Sequence, residues 1–208
     1  MNEPRVTRWW WVRHAPVPGF GGAIYGDDEV DCDLSDAAAL AAVAGRLPAG
    51  ARWVSSHLGR ARRTAAALAA HHPDPAPAAV EPDLGEQSFG DWQGRSFAEL
   101  ERSGDAVYHR FWLAPARHAP PGGESFVAMI TRVRAVIDRL TAAHAGGDIV
   151  AVAHGGTVRA ALAVALGVDP EAALAFKVDN LSLTRLERVE HARPGHDWRI
   201  VHVNLPPA

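Results

Sequence analysis

A single cysteine, Cys32, leaves no partner for an internal disulfide, so nothing in the chain requires an oxidising compartment. Lysine is equally scarce. Lys177 is the only one among 21 basic residues, and arginine carries the rest of the positive charge. The arginine fork suits phosphate and carboxylate, although a coding bias toward Ala and Arg produces the same imbalance. Long hydrophobic runs are missing too. Met1 to Thr7 holds none, and Trp9-Trp10-Trp11-Val12 is too short for a signal core. The alanine-rich stretches are broken by Arg or His well before the ~20 residues of a spanning helix. The expectation is a cytoplasmic protein with no membrane partner. Neither sign of charge dominates, and the formal net charge of -3 argues against nucleic acid as a partner. Several catalytic signatures are absent: no Gly-x-x-x-x-Gly-Lys, no Gly-x-Ser-x-Gly and no His-Glu-x-x-His.

What is present is an ordinary globular composition, 48% hydrophobic and 22% charged over 208 residues, enough for one sizeable core. Buried strands are predicted at Trp9-Trp10-Trp11-Val12, Trp53-Val54-Ser55 and Ile149-Val150-Ala151-Val152-Ala153, with later strands over 181–186 and 199–203. The tryptophan run reads as core, because its rings would alternate between the faces of a buried strand. Helices are predicted over about 36–47, with Ser35 as N-cap, and over 58–71, capped by Ser55 or Ser56. One or two short helices are expected within 97–113, a long one over 125–144, and another from Gly155 to about 166. The proline-rich stretch 74–82 reads as a short connection. Alternating strands and helices imply a three-layer α/β/α fold with a mostly parallel central sheet. Sites on such sheets lie at strand carboxyl ends, where two of these strands run into His14 and His154.

Small residues after each histidine allow a ligand close to the backbone, and Gly155-Gly156 opens a helix whose N-terminal amides can receive an anion. Arg13, at a buried strand end, needs an anion or a salt bridge with an acid between Asp27 and Asp33; the two options stay equal. Arg60 falls in a first helical turn, where a cation is disfavoured unless an anion is shared. Glu86, in a Gly-rich loop with aromatic flanks, is the best acid candidate, with partial burial expected to raise its pKa; Asp83 and Asp91 compete with it. His71-His72 and His191/His196 are weak zinc candidates at a helix end and a surface turn. The acidic run 27–36 lacks the mid-loop glycine and final glutamate of a calcium loop.

Five segments in order resemble the histidine phosphatase (phosphoglycerate mutase-like) superfamily: Val12-Arg13-His14-Ala15; Ser55-Ser56 with Leu58-Gly59-Arg60-Ala61-Arg62-Arg63-Thr64-Ala65; Glu86 with Phe89-Gly90-Asp91-Trp92-Gln93-Gly94; Gly122-Gly123-Glu124-Ser125; and Val152-Ala153-His154-Gly155-Gly156. The resemblance spans about residues 8–190. It implies a single domain over 1–208, with residues about 83–145 as a helical cap or insertion over the site. It also implies metal-independent phosphomonoester hydrolysis without a cofactor. His14 would attack phosphorus through a phosphohistidine. Arg13, Arg60, His154 and the Gly155 backbone would hold the phosphate, and Glu86 would serve as acid then base. One departure stands out: Ala15 replaces the glycine usual after the histidine, and its methyl could crowd the phosphate loop or forbid a positive φ. Pro16, Val17 and Pro18 differ from the Ser and Asn of the mutases, while Tyr25-Gly26 and the Glu86–Gly94 loop look closer to α-ribazole-5′-phosphate phosphatases. The expected partner is a small phosphorylated metabolite. Mutase-type transfer and an inactive phosphate-binding module are the alternatives. The oligomeric state, including a homodimer, stays open.

Overall fold

The computed structural model describes residues 4–190 and 197–207. Six strands form one sheet: β1 (Val6–Arg13), β2 (Arg52–Ser55), β3 (Ala79–Val80), β4 (Asp148–Ala153), β5 (Leu183–Val189) and β6 (Trp198–Leu205), in the order β3-β2-β4-β1-β5-β6. Strands β3, β2, β4 and β1 are parallel, and only the β1–β5 and β5–β6 pairs are antiparallel. The central strands are buried on both faces, as continuous apolar runs require.

Two hydrophobic clusters fill the two faces. On one, Trp9, Trp11, Ile149, Ala151 and Ala153 meet α5 (Phe126–Ala143) and α6 (Gly155–Leu166) through Phe126, Met129, Val133, Val158 and Leu162. On the other, Val12, Trp53, Val150 and Val152 meet α1 (Ala37–Ala44) and α2 (Gly59–His71) through Leu40, Val43, Ala65 and Leu68. This is the expected α/β/α sandwich. The tryptophan run alternates as the strand period demands: Trp9 and Trp11 stack with centroids 5.0 Å apart in the first cluster, and the Trp9 indole donates to Thr141 Oγ1 at 3.0 Å. Trp10 faces the other way, over the Arg185 guanidinium.

Several local expectations are corrected. Asp36, not Ser35, caps α1, accepting from the Ala39 amide. No serine side chain caps α2; the Glu29 carboxylate accepts the Gly59 amide at 3.0 Å instead. The proline-rich connection contains the edge strand β3, and a short α7 (Pro170–Ala173), capped by Asp169 with proline at its start, was not anticipated. The 97–113 segment forms α3 (Phe97–Arg102) and α4 (Ala106–Leu113) over a small separate cluster of Ile24, Trp92, Leu100, Tyr108 and Phe111. Of the 83–145 segment expected as a cap, α5 belongs to the main core, because its apolar stripe is spent on the sheet.

The stacked pair, two of the largest fully buried side chains, sits on the strand that leads into His14. Trp9→Ala is expected to lower the unfolding free energy by about 3–5 kcal/mol, measured as a shifted urea midpoint at unchanged slope.

Candidate active site

Strands β1 and β4 pair in parallel with Arg13 opposite Ala153, and the His14 amide donates to the Ala153 carbonyl at 2.9 Å. The next residue of each strand, His14 and His154, therefore leaves the sheet beside the other. Both are fully buried, with ring centroids 5.2 Å apart and planes inclined by 57°. A small anion between them can touch both rings.

His14 Nδ1 lies 2.7 Å from the Ala15 carbonyl oxygen. A carbonyl only accepts, so Nδ1 carries the proton and Nε2 keeps its lone pair. That Nε2 is buried and has no partner. Burial lowers the pKa from 6.5 to about 3; the Ala15 hydrogen bond opposes this, and the nearby Arg60 and Arg13 charges add to it. The ring is neutral throughout the ordinary pH range. His154 is held well below its usual value by burial, then by His14, Arg60 and Arg13. Its Nε2 is 2.6 Å from Ser56 Oγ, which also lies 3.3 Å from the Leu58 amide, and its Nδ1 is buried without a partner.

Both arginines predicted from sequence converge here. Arg13 donates to the Val178 carbonyl at 2.6 Å and reaches the Tyr25 hydroxyl at 3.5 Å. Arg60 is fully buried, donates to the carbonyls of Gly26 (2.6 Å) and Asp28 (2.7 Å), and lies over the Tyr25 ring. Each leaves its Nε buried and unpaired. Neither forms a salt bridge among the described residues, so the structural alternative for Arg13, an ion pair with the 27–33 loop, does not form.

Ala15 resolves the question raised by the missing glycine. Its φ is not positive, and it is fully buried in the cluster with Val12, Leu40 and Trp53, on the side of α1 and α2. Its amide donates to Thr64 Oγ1 at 3.0 Å and its carbonyl accepts from His14 and from Asn180. The methyl adds to the core.

Glu86 lies in the loop after the 3-10 turn Pro82–Leu84 and is half-buried, whereas its competitors Asp83 and Asp91 are exposed. Its carboxylate accepts the Gly156 amide at 3.1 and 3.2 Å and the Gln87 amide at 2.9 Å. The amide at the start of α6 thus meets the chain's own carboxylate, where the sequence reading reserved it for phosphate. Gly155 itself is buried beside Arg13, whose Nε would stand 3.6 Å from a Cβ placed there. A methyl on Gly156 would lie 2.2 Å from Glu86 Oε1.

Sequence reasoning missed the residue that holds this loop. Arg132, on α5, donates to the carbonyls of Asp83 (2.7 Å), Gly85 (2.9 Å) and Glu86 (3.1 Å) and grips the Glu124 carboxylate through two nitrogens. Asn180 was likewise not singled out, Tyr25 entered only with Gly26 through the family resemblance, and neither Tyr25 nor Ser56 was given a task at the site. Their roles come from tertiary proximity, and Ser56 read as a helix cap. The zinc candidate His72 is committed to the carbonyls of Leu47 and Asp74. Among the described residues no three His, Cys, Asp or Glu side chains gather as a ligand set, and His191 and His196 lie outside those residues.

A mostly parallel sheet whose adjacent strand ends carry two neutral imidazoles, with two guanidiniums beside them that form no ion pair among the described residues, defines an α/β protein with a strand-end anion site. The model of the histidine phosphatase superfamily, branch 1, matches residues 10–205, and the chain belongs to that family. A bifunctional protein of Mycobacterium tuberculosis is 35% identical over 108 residues, which is 52% of this chain but only 29% of that protein. The glucosyl-3-phosphoglycerate phosphatase of M. tuberculosis is 35% identical over 193 residues, 85% of this chain and 83% of the relative. The solved structure of a mycobacterial glucosyl-3-phosphoglycerate phosphatase superimposes with a TM-score of 0.81 at 29% identity, covering 97% of this chain and 100% of that one. The adenosylcobalamin/α-ribazole phosphatase of Escherichia coli is 35% identical over 104 residues, about half of each chain.

Two outcomes follow from the geometry. His14 has a folded pKa near 3 against 6.5 unfolded, so protons bind the unfolded chain first as pH falls. Stability is fully present above pH 6.5 and declines toward pH 3, by up to ~5 kcal/mol from this residue. Urea midpoints between pH 7 and 4 should fall more steeply for wild type than for His14→Asn; parallel curves would refute the assignment. In Gly156→Ala the new methyl displaces the Glu86 carboxylate, and phosphomonoester turnover should drop about 10²-fold with the fold intact by circular dichroism.

Proposed function

We propose that the chain is a phosphomonoesterase that releases inorganic phosphate from a small phosphorylated metabolite through a phosphohistidine on His14. The observation that carries this reading is the buried, neutral His14 whose proton is fixed on Nδ1, leaving Nε2 without a partner in a ring centred 5.2 Å from that of His154.

In the first step the Nε2 lone pair attacks phosphorus in line. The ester P–O bond breaks, and protonated Glu86 gives its proton to the leaving oxygen. Nδ1–H stays on the Ala15 carbonyl, which stabilises the positive charge that the ring acquires. Arg13 and Arg60, each with an unpaired Nε, hold the non-bridging oxygens together with the Gly155 region of α6. With one Ser56 lone pair on the Leu58 amide, its hydroxyl proton is available to His154 Nε2. His154 then presents Nδ1–H to a phosphate oxygen. In the second step the Glu86 carboxylate takes a proton from water, the water oxygen attacks phosphorus, and the P–N bond breaks to restore neutral His14. Two guanidiniums supply the charge neutralisation that magnesium supplies in kinases, and the neutral His154 adds a hydrogen bond, so the scheme needs no metal.

The helices α3 and α4 and the adjoining loops form the cap over this site, supported by the small cluster around Trp92 and Tyr108. The relatives act on phosphate esters of small molecules by name, which favours a metabolite over a macromolecular substrate; α-ribazole 5′-phosphate and sugar or nucleoside phosphates are the first esters to assay. A cytoplasmic setting agrees with the lone cysteine and with the absence, among the described residues, of any helix long and apolar enough to cross a membrane. An inactive module loses its one support now that the Ala15 methyl is accounted for in the core.

Rapid quenching with 32P-labelled phosphomonoester should trap an acid-labile, base-stable adduct on His14, and EDTA should leave turnover unchanged. Label on a serine or aspartate, or strict metal dependence, would overturn the mechanism. His14→Ala should lose at least ~10⁴-fold in kcat, and identical turnover of the two proteins while both bind phosphate would support the inactive-module alternative.

A further inference from the structure

The turn that leads into β5 grips the end of β1 residue by residue. The Val178 carbonyl accepts from the Arg13 guanidinium at 2.6 Å, and the Leu181 amide donates to the Arg13 carbonyl at 3.0 Å. Between them, Asn180 reaches the next two residues of the chain. Its side-chain Nδ2 lies 2.9 Å from the His14 carbonyl oxygen and 3.3 Å from that of Ala15. One carboxamide thus spends both of its N–H bonds on successive carbonyls. The second of these is the carbonyl that holds the His14 Nδ1 proton.

The backbone of this turn is strained. Among the described residues two non-glycine residues have left-handed backbone, Leu181 (φ 56°) and Asn204 (φ 57°), and both serve this turn. The Ser182 amide closes it on the Asp179 carbonyl at 3.2 Å, with Leu181 in the third position. Glycine or asparagine ordinarily takes that position. An asparagine is at hand one residue earlier, yet the buried leucine carries the left-handed backbone and the asparagine side chain is turned to the nucleophile. Asn204, on β6, clasps the turn from outside: its Oδ1 accepts the Asp179 amide at 2.6 Å, and its Nδ2 donates to the Asp179 carboxylate at 2.9 Å. Lys177 shares that carboxylate. Linking α7 to β5 requires none of these bonds to residues 13–15.

We infer that Asn180 is a positioning residue for the nucleophile: it holds the Ala15 carbonyl where that oxygen fixes the His14 proton on Nδ1, and the Asn204 clasp keeps the turn in place. This rests on the phosphohistidine reading above. With a donor on each lone pair, the carbonyl is held still while Nε2 attacks, and Nδ1–H keeps its acceptor as the ring gains positive charge. The phosphate oxygens are held by other groups, Arg13, Arg60 and His154. Loss of Asn180 therefore acts on kcat and spares ground-state binding.

The His14 Nδ1 proton gives a readout that a merely structural turn would not move. In wild type it should appear as a downfield 1H–15N resonance that is missing from His14→Ala. In Asn180→Ala that resonance should move upfield and broaden by exchange. In the same variant kcat should fall about 10–100-fold, the range of one charge-assisted hydrogen bond, with KM within about threefold of wild type. Asn180→Gln, which keeps a donor on a longer arm, should recover part of the loss. Asn204→Gly, which keeps the left-handed backbone without strain, should shift the resonance in the same direction with a smaller fall in kcat. Inorganic phosphate, titrated by calorimetry, should bind wild type and Asn180→Ala within about threefold of each other. An unaltered resonance in Asn180→Ala, an unchanged kcat, or a loss of inorganic phosphate binding that matches the loss of kcat would each overturn the role. The phosphohistidine trap reports on the reaction separately: a shifted resonance without a wild-type phosphoenzyme faults the chemistry and sustains the positioning, whereas a phosphoenzyme with an unaltered resonance removes the positioning alone.

Discussion

The in-register pairing of two parallel strands is the constraint on which the site depends. Because Arg13 stands opposite Ala153, and the His14 amide is tied to the Ala153 carbonyl, the two imidazoles begin from adjacent points and meet at 5.2 Å. A slip of one residue would send one ring to the opposite face of the sheet. Register is protected by what lies beneath: Trp9 and Trp11 must face α5 and α6, while Val12 and Val152 face α1 and α2. The large, indivisible volume of the stacked indoles makes any shifted pairing a packing failure, so the core that stabilises the fold also aims the chemistry.

The acid side of the pocket is controlled differently. Glu86 sits on a loop, where backbone freedom would ordinarily blur its position. Its surroundings remove that freedom. Arg132 clasps the carbonyl groups of Asp83, Gly85 and Glu86, Glu124 accepts the Ser88 amide and its carbonyl accepts from Gln87, and Gly90 and Gly123 allow the loop and the 120–123 turn to touch backbone to backbone. Gly156 then lets the carboxylate rest on the first turn of α6. A loop stapled to a core helix in this way has the precision of an element while leaving the carboxylate half-open.

The sequence was legible where periodicity and strand ends act over short distances. Apolar runs located β1, β2 and β4, and the rule that sites gather at strand carboxyl ends joined His14 to His154. Arg13, Arg60 and Glu86 followed because a cation at a buried strand end or first helical turn, and an acid in a Gly-rich loop, are locally anomalous. Family resemblance gave those anomalies roles. What stayed hidden was decided by partners far along the chain. The cap of α2 comes from Glu29, thirty residues earlier, and Ser56 serves His154, ninety-eight residues away, where a local reading assigned it to a helix terminus. Arg132 reads in sequence as one more polar position on an amphipathic helix. Strand β3 is two residues long and α7 four, below the length at which a period can be detected.

Ala15 shows how far a motif departure should be weighed by geometry. A glycine at such a position is usually explained by left-handed backbone or close ligand approach. Here the backbone is ordinary, the Cβ enters the cluster of Val12 and Leu40, and the carbonyl still receives the His14 proton. The main-chain groups of residue 15 are held by Thr64, His14 and Asn180, so its side chain is free to serve packing. The pocket meanwhile retains what packing cannot relieve: Nε of Arg13, Nε of Arg60, Nε2 of His14 and Nδ1 of His154 are all buried and unsatisfied. Four such groups around one small volume cost stability in the empty protein, each about 1–3 kcal/mol on the usual scale. That cost is the counterpart of binding: phosphate oxygens can accept from the three N–H groups of Arg13, Arg60 and His154, while the His14 Nε2 lone pair stays free for phosphorus, which concentrates the binding energy on the phosphoryl group rather than on the rest of the substrate.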